Sequence, residues 1–552
     1  MAKVTAIPVS GLTRVFHDFR GAGRFEGGSV FIDDIFSFQI ACLLDVDAEK
    51  HTAFNEWAHV TVASKLAECV TVRAVKLVPS AYPAPPVLDE GYERTAPGLY
   101  PDRLEKLGNG RFRLVAGQWR SLWVDVEPRS DTPPGTHDIL ISAAGEDGEE
   151  LFQVSVSVTV YRGTLPESTL YHTEWFHADC LADYYRVPVF SGEHFEICEN
   201  FIKAAVRRGV NTILTPLFTP PLDTAEGGFR TKVQLVEVEP LKNGQYRFDF
   251  SRLHRWAGIL KRAGVTYIEM PHLFSQWGAK YAPAIYAGDG TRLFGWHTPG
   301  DSAEYAGFLR CFLPALKAEL TDMGVYGRCL FHVSDEPELK DLKRYQYAKG
   351  LVKELLPDAT FIDALSDFEF FKTGAVECPV VAIDHMKLFL DAGVPELWTY
   401  YCCAQIKDVT NRFFSMPLAR CRALGVQLYK YNIKGFLHWS YNFYNSLLSG
   451  RTLNPYAETD AGEGFPSGDA FLVYPGADQK PEESLRIMVV QQAFHDCRAL
   501  RWLESLTGRE QVLPMLKEVT LTKYPLSEAW YLQLREQVNK RIAESCEKRG
   551  LS

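Results

Sequence analysis

After Gly163 the chain alternates between short apolar runs and amphipathic stretches, and this alternation constrains the fold more than any other feature. The apolar runs, interpreted as strands, span residues 170–176, 210–214, 265–270, 325–333, 359–362, 379–383, 397–401 and 435–439. Apolar residues recur at helical spacing over 195–208, 253–263, 305–323, 339–356, 412–424 and 485–503. Eight strands with helices between most of them predict an α/β fold, a (β/α)8 TIM-type barrel with its active site at the C-terminal ends of the strands.

The segment before Gly163 has an all-β pattern. Alternating valines over 154–160 are typical of a strand with one buried face, and residues 137–143 should pair with it across the Gly145–Gly148 turn. Further strand candidates at 30–44, 58–63, 70–78 and 118–126 favour a β-sandwich. A chain of 552 residues should form several domains. We predict a β-sandwich at 1–163, a catalytic barrel at 164–505, and a C-terminal helical extension packed on the barrel at 506–552.

Charge and motif content narrow the class of ligand. A net charge of -10 without a concentrated Lys/Arg run argues against nucleic-acid and membrane partners and leaves a small polar ligand. No HxH pair, HExxH helix, P-loop or complete dinucleotide motif occurs, so we predict neither a metal nor a cofactor. The twelve dilute cysteines should be reduced, and the lack of a leader or apolar span predicts a cytoplasmic protein. The sequence leaves the oligomeric state open.

Two neighbouring carboxylates, Asp335 and Glu336, close the fourth strand candidate. They stand where a barrel enzyme carries an acid. Glu336 precedes Pro337, and a residue before proline favours extended geometry, so we expect Glu336 to be extended. Pro337 itself should lie near the first turn of the next helix. Because side chains alternate along a strand, only a bend at Asp335 would aim both carboxylates into one pocket. The alternative is a solvated acidic turn that interacts with the helix dipole.

Polar and aromatic residues follow the other strand candidates as well. The candidate substrate-binding residues are His177, Asp179, His272, Trp277, Tyr400, Tyr401, Gln405, His438, Trp439, Tyr441, Asn442 and Asp469. Aromatic faces flanked by hydrogen-bonding side chains suit a sugar ring, with its apolar C–H patches and its hydroxyls. Trp277 and Trp439 are the best candidates for sugar platforms, whereas Tyr400 could equally fill the barrel core.

At these residues the chain resembles a known family. The string His332–Pro337 (HVSDEP) resembles the core motif of glycoside hydrolase family 123, which largely shares its region with the domain of unknown function 4091. The similarity extends from about residue 165 to 505 in ordered segments: 172–179, 218–224, 272–279, 363–366, 398–402, 435–442 and 468–476.

The resemblance implies a β-N-acetylgalactosaminidase that removes terminal β-linked N-acetylgalactosamine, with glycosphingolipid oligosaccharides as a familiar substrate class. By position, Glu336 would be the general acid/base and Asp335 would hold and polarise the 2-acetamido group of the substrate. Ser440 departs from the glycine found in many members, so it could narrow the pocket rim and alter substrate preference.

Physical chemistry independently favours this mechanism. A standard retaining glycosidase needs two carboxyls about 5 Å apart on opposite sides of the scissile bond, which adjacent residues reach awkwardly. If the acetamido oxygen attacks carbon, one acid and one amide-holding carboxylate suffice. Two alternatives stay open. The first is a β-N-acetylglucosaminidase or hexosaminidase, whose glucosaminide substrates differ from the galactosaminides only at C4. The second is a non-catalytic carbohydrate-binding protein on the same fold.

Overall fold

The computed structural model describes residues 3–23, 25–45 and 55–550; the predicted outer limits of the first and last domains, residues 1 and 552, lie outside them. The N-terminal region is β-rich. Its strands are β1 (Lys3–Ser10), β2 (Gly27–Ile32), β3 (Phe36–Asp45), β4 (Asn55–Ala63), β5 (Val70–Ser80), β6 (Gly98–Lys106), β7 (Arg111–Val115), β8 (Trp119–Val126), β9 (Gly135–Ala144) and β10 (Glu150–Thr164). They form two five-stranded sheets, ordered β1-β3-β8-β5-β6 and β2-β10-β9-β4-β7.

Alternating side chains from both sheets form one apolar core, which includes Val30, Phe38, Leu122, Val124 and Val156. β9 and β10 pair in antiparallel orientation across the turn, as predicted. The prediction of a single strand at 30–44 was wrong. Asp33 takes a left-handed conformation with φ 57°, and the resulting turn separates β2 from β3, which belong to different sheets.

All eight strand candidates after Gly163 are present, and their strands close into one parallel barrel in chain order. The barrel strands are β11 (Tyr171–Glu174), β12 (Thr212–Leu214), β15 (Tyr267–His272), β18 (Cys329–His332), β19 (Thr360–Ala364), β20 (Cys378–Ala382), β21 (Trp398–Tyr400) and β22 (Gly435–His438). Three short ribbons interrupt the alternation: β13 (Glu237–Pro240) with β14 (Tyr246–Asp249), β16 (Ile285–Tyr286) with β17 (Arg292–Phe294), and β23 (Tyr474–Pro475) with β24 (Pro481–Glu482).

The helices are α1 (Ala178–Tyr185), α2 (Gly192–Arg207), α3 (Ser251–Ala263), α4 (Ala303–Asp322), α5 (Leu342–Leu355), α6 (Glu369–Lys372), α7 (Met386–Asp391), α8 (Leu418–Lys430), α9 (Leu485–Thr507), α10 (Arg509–Val512) and α11 (Glu528–Arg549). Two predicted starts were wrong. The helix predicted from residue 412 begins at Leu418, because Pro417 disfavours helical geometry before it. Pro337 lies outside α5, which begins five residues later after a 3-10 turn at Leu339–Asp341.

Two compact units divide the chain. The first comprises Met1–Ser168, Lys407–Asn432 and Glu482–Ser552; the second comprises Thr169–Ile406 and Ile433–Pro481. In the first unit, α8 packs closely on α9, where a Cβ on Gly425 would come within 1.7 Å of the carbonyl oxygen of Ala493. The domain limits proposed at residues 163 and 505 stay predictions. Along the described stretches, no helix combines the length and the apolarity needed to cross a membrane.

The second unit contains the whole barrel. Its interior is packed with residues such as Leu214, Leu330, Ile362, Val380 and Trp398. Gly435 is required at this packing density, since a Cβ there would lie 2.3 Å from the Trp398 ring. The filled interior leaves the C-terminal ends of the strands as the place for a site.

Candidate active site

The segment after β18 turns both neighbouring carboxyl groups into one pocket. Glu336 has φ 41°, in the left-handed region, so the prediction of extended geometry was wrong. Two backbone bonds hold this bend: the Trp277 N–H donates to the Asp335 carbonyl at 2.7 Å, and the Glu336 N–H donates to the Ala364 carbonyl at 3.0 Å. Long-range contacts thus outweigh the local preference set by Pro337. A non-glycine residue at positive φ costs on the order of 1–3 kcal/mol, and such strain clusters at functional sites.

The pocket at the barrel mouth spans about 650 Å³, part of which is open to solvent. It is lined by Trp175, Leu222, Asp223, Gln276, Trp277, Asp335, Glu336, Ala364, Tyr400, Cys402, Cys403, Leu437, Trp439 and Phe465. Of the sequence-predicted residues, the structure brings Asp335, Glu336, Trp277, Tyr400 and Trp439 together here. The other nine do not line the pocket.

Burial raises the pKa of both neighbouring carboxyls. For Asp335 the nearby Glu336 and Asp363 add to the increase, while the His332 ring opposes it. For Glu336 the opposing influence is Tyr400, whose hydroxyl donates to Glu336 Oε1 at 2.5 Å. Two close carboxyls that both resist ionisation share a proton over a wide pH range. The pair can therefore hold one acid and one carboxylate simultaneously.

A buried cation lies at the end of the same strand. His332 Nε2 lies 2.6 Å from Glu269 Oε1, and its Nδ1 lies 3.4 Å from Asp363 Oδ1. These two carboxylates outweigh burial and raise the pKa of His332 to about 9. Glu269 also accepts from the Trp175 indole at 2.7 Å and from the Thr173 hydroxyl. At neutral pH His332 is thus an imidazolium, and its charge favours ionisation of Asp335.

His272 stacks on His332 with ring centroids 4.3 Å apart and planes 26° apart. Burial lowers the pKa of His272 well below its usual range, so this ring is neutral beside the charged one. His272, His332 and Asp363 have the residue types of a metal site and lie within reach of one another. However, both nitrogens of His332 already face carboxylates, and stacked rings do not direct their lone pairs at one ion. We interpret the set as a charge network.

His177 and Asp179 do not line the pocket; they bind the side chain of Arg230, which the sequence did not single out. Arg230 donates to both Asp179 oxygens at 2.8 and 2.9 Å and to His177 Nδ1 at 3.0 Å. Burial and Arg230 lower the pKa of His177 to about 3, so its ring is neutral. Asn442 fixes the backbone of His177 from both sides, at 3.0 Å each.

Arg230 also donates to the Leu222 carbonyl at 3.0 Å, which anchors the neighbouring pocket residue Asp223. Asp223 has φ 39°, and its carboxyl accepts from the Leu448 N–H at 3.1 Å. Burial raises the pKa of Asp223 to about 6, although Arg230 lowers it. Asp223 belongs to the segment 218–224, which the family resemblance had marked without assigning it a role.

Trp439 is held by Asp469, whose Oδ2 accepts from the indole N–H at 2.8 Å. His438 lies 3.3 Å from the other oxygen of Asp469 and is buried. Ser440 does not line the pocket, because its hydroxyl donates inward to the Ala470 carbonyl at 2.5 Å. Trp277, by contrast, is 51% exposed at the pocket rim.

The remaining predicted residues are structural neighbours of the site. Tyr401 is buried against the rings of Phe436 and His438. Gln405 closes a turn on Cys402, and the Tyr441 hydroxyl donates to the Phe201 carbonyl at 3.3 Å.

A carboxyl pair in a pocket walled by aromatic rings, at the mouth of a parallel barrel, is typical of enzymes that cleave glycosidic bonds. The family model described as glycoside hydrolase 123, catalytic domain, matches residues 175–503, more than half of the chain. The chain belongs to glycoside hydrolase family 123 and is therefore a hydrolase of glycans. No curated protein matches its sequence at a significant level.

Among solved structures, the chain is similar to a family 123 glycoside hydrolase from Clostridium perfringens that was analysed for glycolipid glycan hydrolysis. Identity is 15%, coverage is 99% of this chain and 98% of that chain, and the TM-score is 0.74, which supports the shared fold. A Bifidobacterium dentium beta-glucuronidase (9% identity, 90% of this chain and 67% of that chain, TM-score 0.32) and a putative beta-galactosidase from Bacteroides fragilis (10%, 86% and 59%, 0.31) are too distant to bear on function.

Proposed function

We propose that the protein is a retaining exo-glycosidase that removes terminal β-linked N-acetylgalactosamine from oligosaccharides, with the 2-acetamido group of the substrate as nucleophile. Glycolipid glycans, the substrates named for the Clostridium perfringens enzyme, are the first natural candidates to test. We assign the architecture as a TIM-type barrel preceded by a β-sandwich, and the location as cytoplasmic.

One observation carries this proposal: the two carboxyls that line the pocket come from adjacent residues, Asp335 and Glu336. Neighbouring side chains on one segment do not readily flank a glycosidic bond from opposite faces, as a carboxylate nucleophile and a separate acid must. If neither carboxylate attacks the anomeric carbon, the nucleophile must come from the substrate. The 2-acetamido oxygen can reach the face of that carbon opposite the leaving group.

The two carboxyls take different protonation states in the proposed mechanism. Glu336, with its raised pKa, donates a proton to the leaving oxygen and then withdraws one from the attacking water. Asp335 accepts a hydrogen bond from the acetamido N–H, which makes the amide oxygen more nucleophilic. In the free pocket, burial and Glu336 raise the pKa of Asp335, and only the charge of His332 favours its ionised form. We propose that the added bond from the acetamido N–H stabilises the Asp335 carboxylate, so that the shared proton lies on Glu336 once substrate is bound.

Aromatic rings supply the binding surface. The Trp439 ring, fixed by Asp469, offers a face to the apolar side of the sugar in the pocket. Trp277 at the rim is positioned to contact the aglycone. Asp223 and Gln276 supply hydrogen-bonding groups for the sugar hydroxyls.

The test is release of nitrophenol from the β-N-acetylgalactosaminide and from its β-N-acetylglucosaminide counterpart, with a thiazoline analogue of the cyclised intermediate as inhibitor. We expect selective turnover of the galactosaminide and inhibition by the thiazoline. Equal turnover of both glycosides would support a hexosaminidase, and binding without turnover would support a carbohydrate-binding protein.

Glu336→Gln should reduce hydrolysis by about 10²- to 10⁴-fold, the usual contribution of a positioned acid/base, and azide should restore turnover of an activated substrate. Glu338→Gln is the matched control, because Glu338 is an exposed carboxyl two residues away that does not line the pocket. Near-normal turnover by Glu336→Gln would contradict the assignment.

A further inference from the structure

Cys402 and Cys403 are the only adjacent cysteines among the twelve in the sequence. They directly follow Tyr401 beyond β21, and both line the pocket that contains Asp335 and Glu336. Both are half-buried thiols that form no disulfide. The pocket therefore contains two neighbouring sulfur atoms that the proposed hydrolysis does not use.

Both cysteines lie in a tight turn that follows β21. The Gln405 N–H donates to the Cys402 carbonyl at 3.2 Å. The side-chain oxygen of Gln405 accepts from the Cys402 N–H at 3.0 Å and from the Cys402 thiol at 3.2 Å. In an extended strand, adjacent side chains point to opposite faces. Here both residues line one pocket, and their side chains are close enough to form a hydrogen bond.

We propose that Cys402 and Cys403 form a dithiol site that binds one thiophilic centre of the trivalent-arsenic class. With an organic arsenic(III) oxide, two As–S bonds form while the As=O bond and both S–H bonds break. The oxide oxygen leaves as water with the two thiol protons. Arsenic stays trivalent throughout, so the reaction needs neither an oxidant nor a reductant.

The setting favours this reaction over simple alkylation. Contact with the Cys403 thiol, together with burial, raises the pKa of Cys402, so Cys402 remains a thiol at neutral pH. Alkylating reagents require the thiolate and should react slowly there. Condensation with an arsenic oxide removes the protons as water, and the second thiol reacts within the same complex at high effective concentration.

Occupancy of this site should also block the pocket. The bridged group would lie in the pocket that Tyr400 and Glu336 also line. Glu336 is close enough to influence the pKa of Cys402. Glycoside turnover, where present, should fall as the site fills and recover when the arsenic is removed. Binding itself does not depend on the proposed hydrolysis.

The experiment uses the full-length chain, reduced and then freed of reductant, and titrates it with phenylarsine oxide. Intact-mass analysis should find one phenylarsenic group per chain at low ratios. Peptide mapping should show that Cys402 and Cys403 are the pair protected from alkylation when the labelled chain is unfolded in denaturant, where every unbound thiol can react. A 1,2-dithiol should remove the group at concentrations where a monothiol does not.

Cys402→Ser and Cys403→Ser should each require about 100-fold more reagent for equal occupancy, because the second As–S bond is lost. Cys378→Ser is the matched control: Cys378 is a half-buried thiol on β20 that does not line the pocket, and its variant should bind as the native chain does. If Cys402→Ser does not fold, Cys403→Ser carries the test. Labelling elsewhere, no adduct, or unchanged affinity of the single variants would overturn the proposal. Absence of glycosidase activity would not.

Discussion

The hydroxyl of Tyr400 tunes the acid that the proposed mechanism requires. It donates to Glu336 Oε1 at 2.5 Å and opposes the increase in pKa that burial imposes on Glu336. Tyr400→Phe retains the ring and removes only this donor. A hydrogen bond to a charged group contributes about 1.5–3 kcal/mol, so its loss should make ionisation roughly 10- to 100-fold less favourable. The pKa of Glu336 should rise in the variant, because the bond stabilises the carboxylate and its removal keeps Glu336 protonated to higher pH.

The assay is the pH profile of kcat/KM on the nitrophenyl galactosaminide. The basic limb, where the acid loses its proton, should move upward by about one to two pH units in Tyr400→Phe. Tyr401→Phe is the matched control, because Tyr401 is the adjacent buried tyrosine and does not line the pocket. A basic limb that stays in place or moves downward in Tyr400→Phe would refute the reasoning.

Two further predictions concern stability. Because the raised pKa of Asp335 means that the fold disfavours its charged form, Asp335→Asn should stabilise the protein by about 0.5–2 kcal/mol at pH 8 and by much less near pH 3.5. Urea unfolding at both values measures this, and equal stability at pH 8 would count against it. His332→Asn leaves two buried carboxylates without their cation and should destabilise by about 3–5 kcal/mol. Since the folded pKa of His332, about 9, exceeds its ordinary value, the stabilisation it provides is complete below about pH 6.5 and is lost through pH 9. The deficit of the variant should shrink over that range, and a constant deficit would argue against a charged His332.

The strands and the acid pair were predictable because their signals are local. Apolar runs located all eight barrel strands, and period-3.6 patterns located most helices. A strand-end position then placed Asp335 and Glu336 at the mouth of the barrel, although not the conformation of Glu336. That conformation depends on backbone bonds to Trp277 and Ala364, which are distant in sequence.

The surroundings of the site were less predictable for a related reason. Beyond the end of a strand, the position of a residue in the sequence does not predict where its side chain points. The sequence therefore could not show that His177 and Asp179 bind Arg230 and do not line the pocket. Asp223 lies on a loop whose path is fixed by Arg230 and Leu448. The charge on His332 depends on carboxylates from two other strands and cannot be inferred from its own neighbours in the sequence.

The central claim, that the acetamido oxygen of the substrate is the nucleophile, is tested most directly by making that oxygen less nucleophilic. The measurement compares kcat/KM for nitrophenyl β-galactosaminides that carry N-acetyl and N-trifluoroacetyl groups. Fluorine withdraws electrons from the amide oxygen and weakens it as a nucleophile, so the account predicts a steep loss of kcat/KM for the trifluoro substrate. Equal values for the two substrates would contradict participation of the acetamido group and would require a different nucleophile in this pocket.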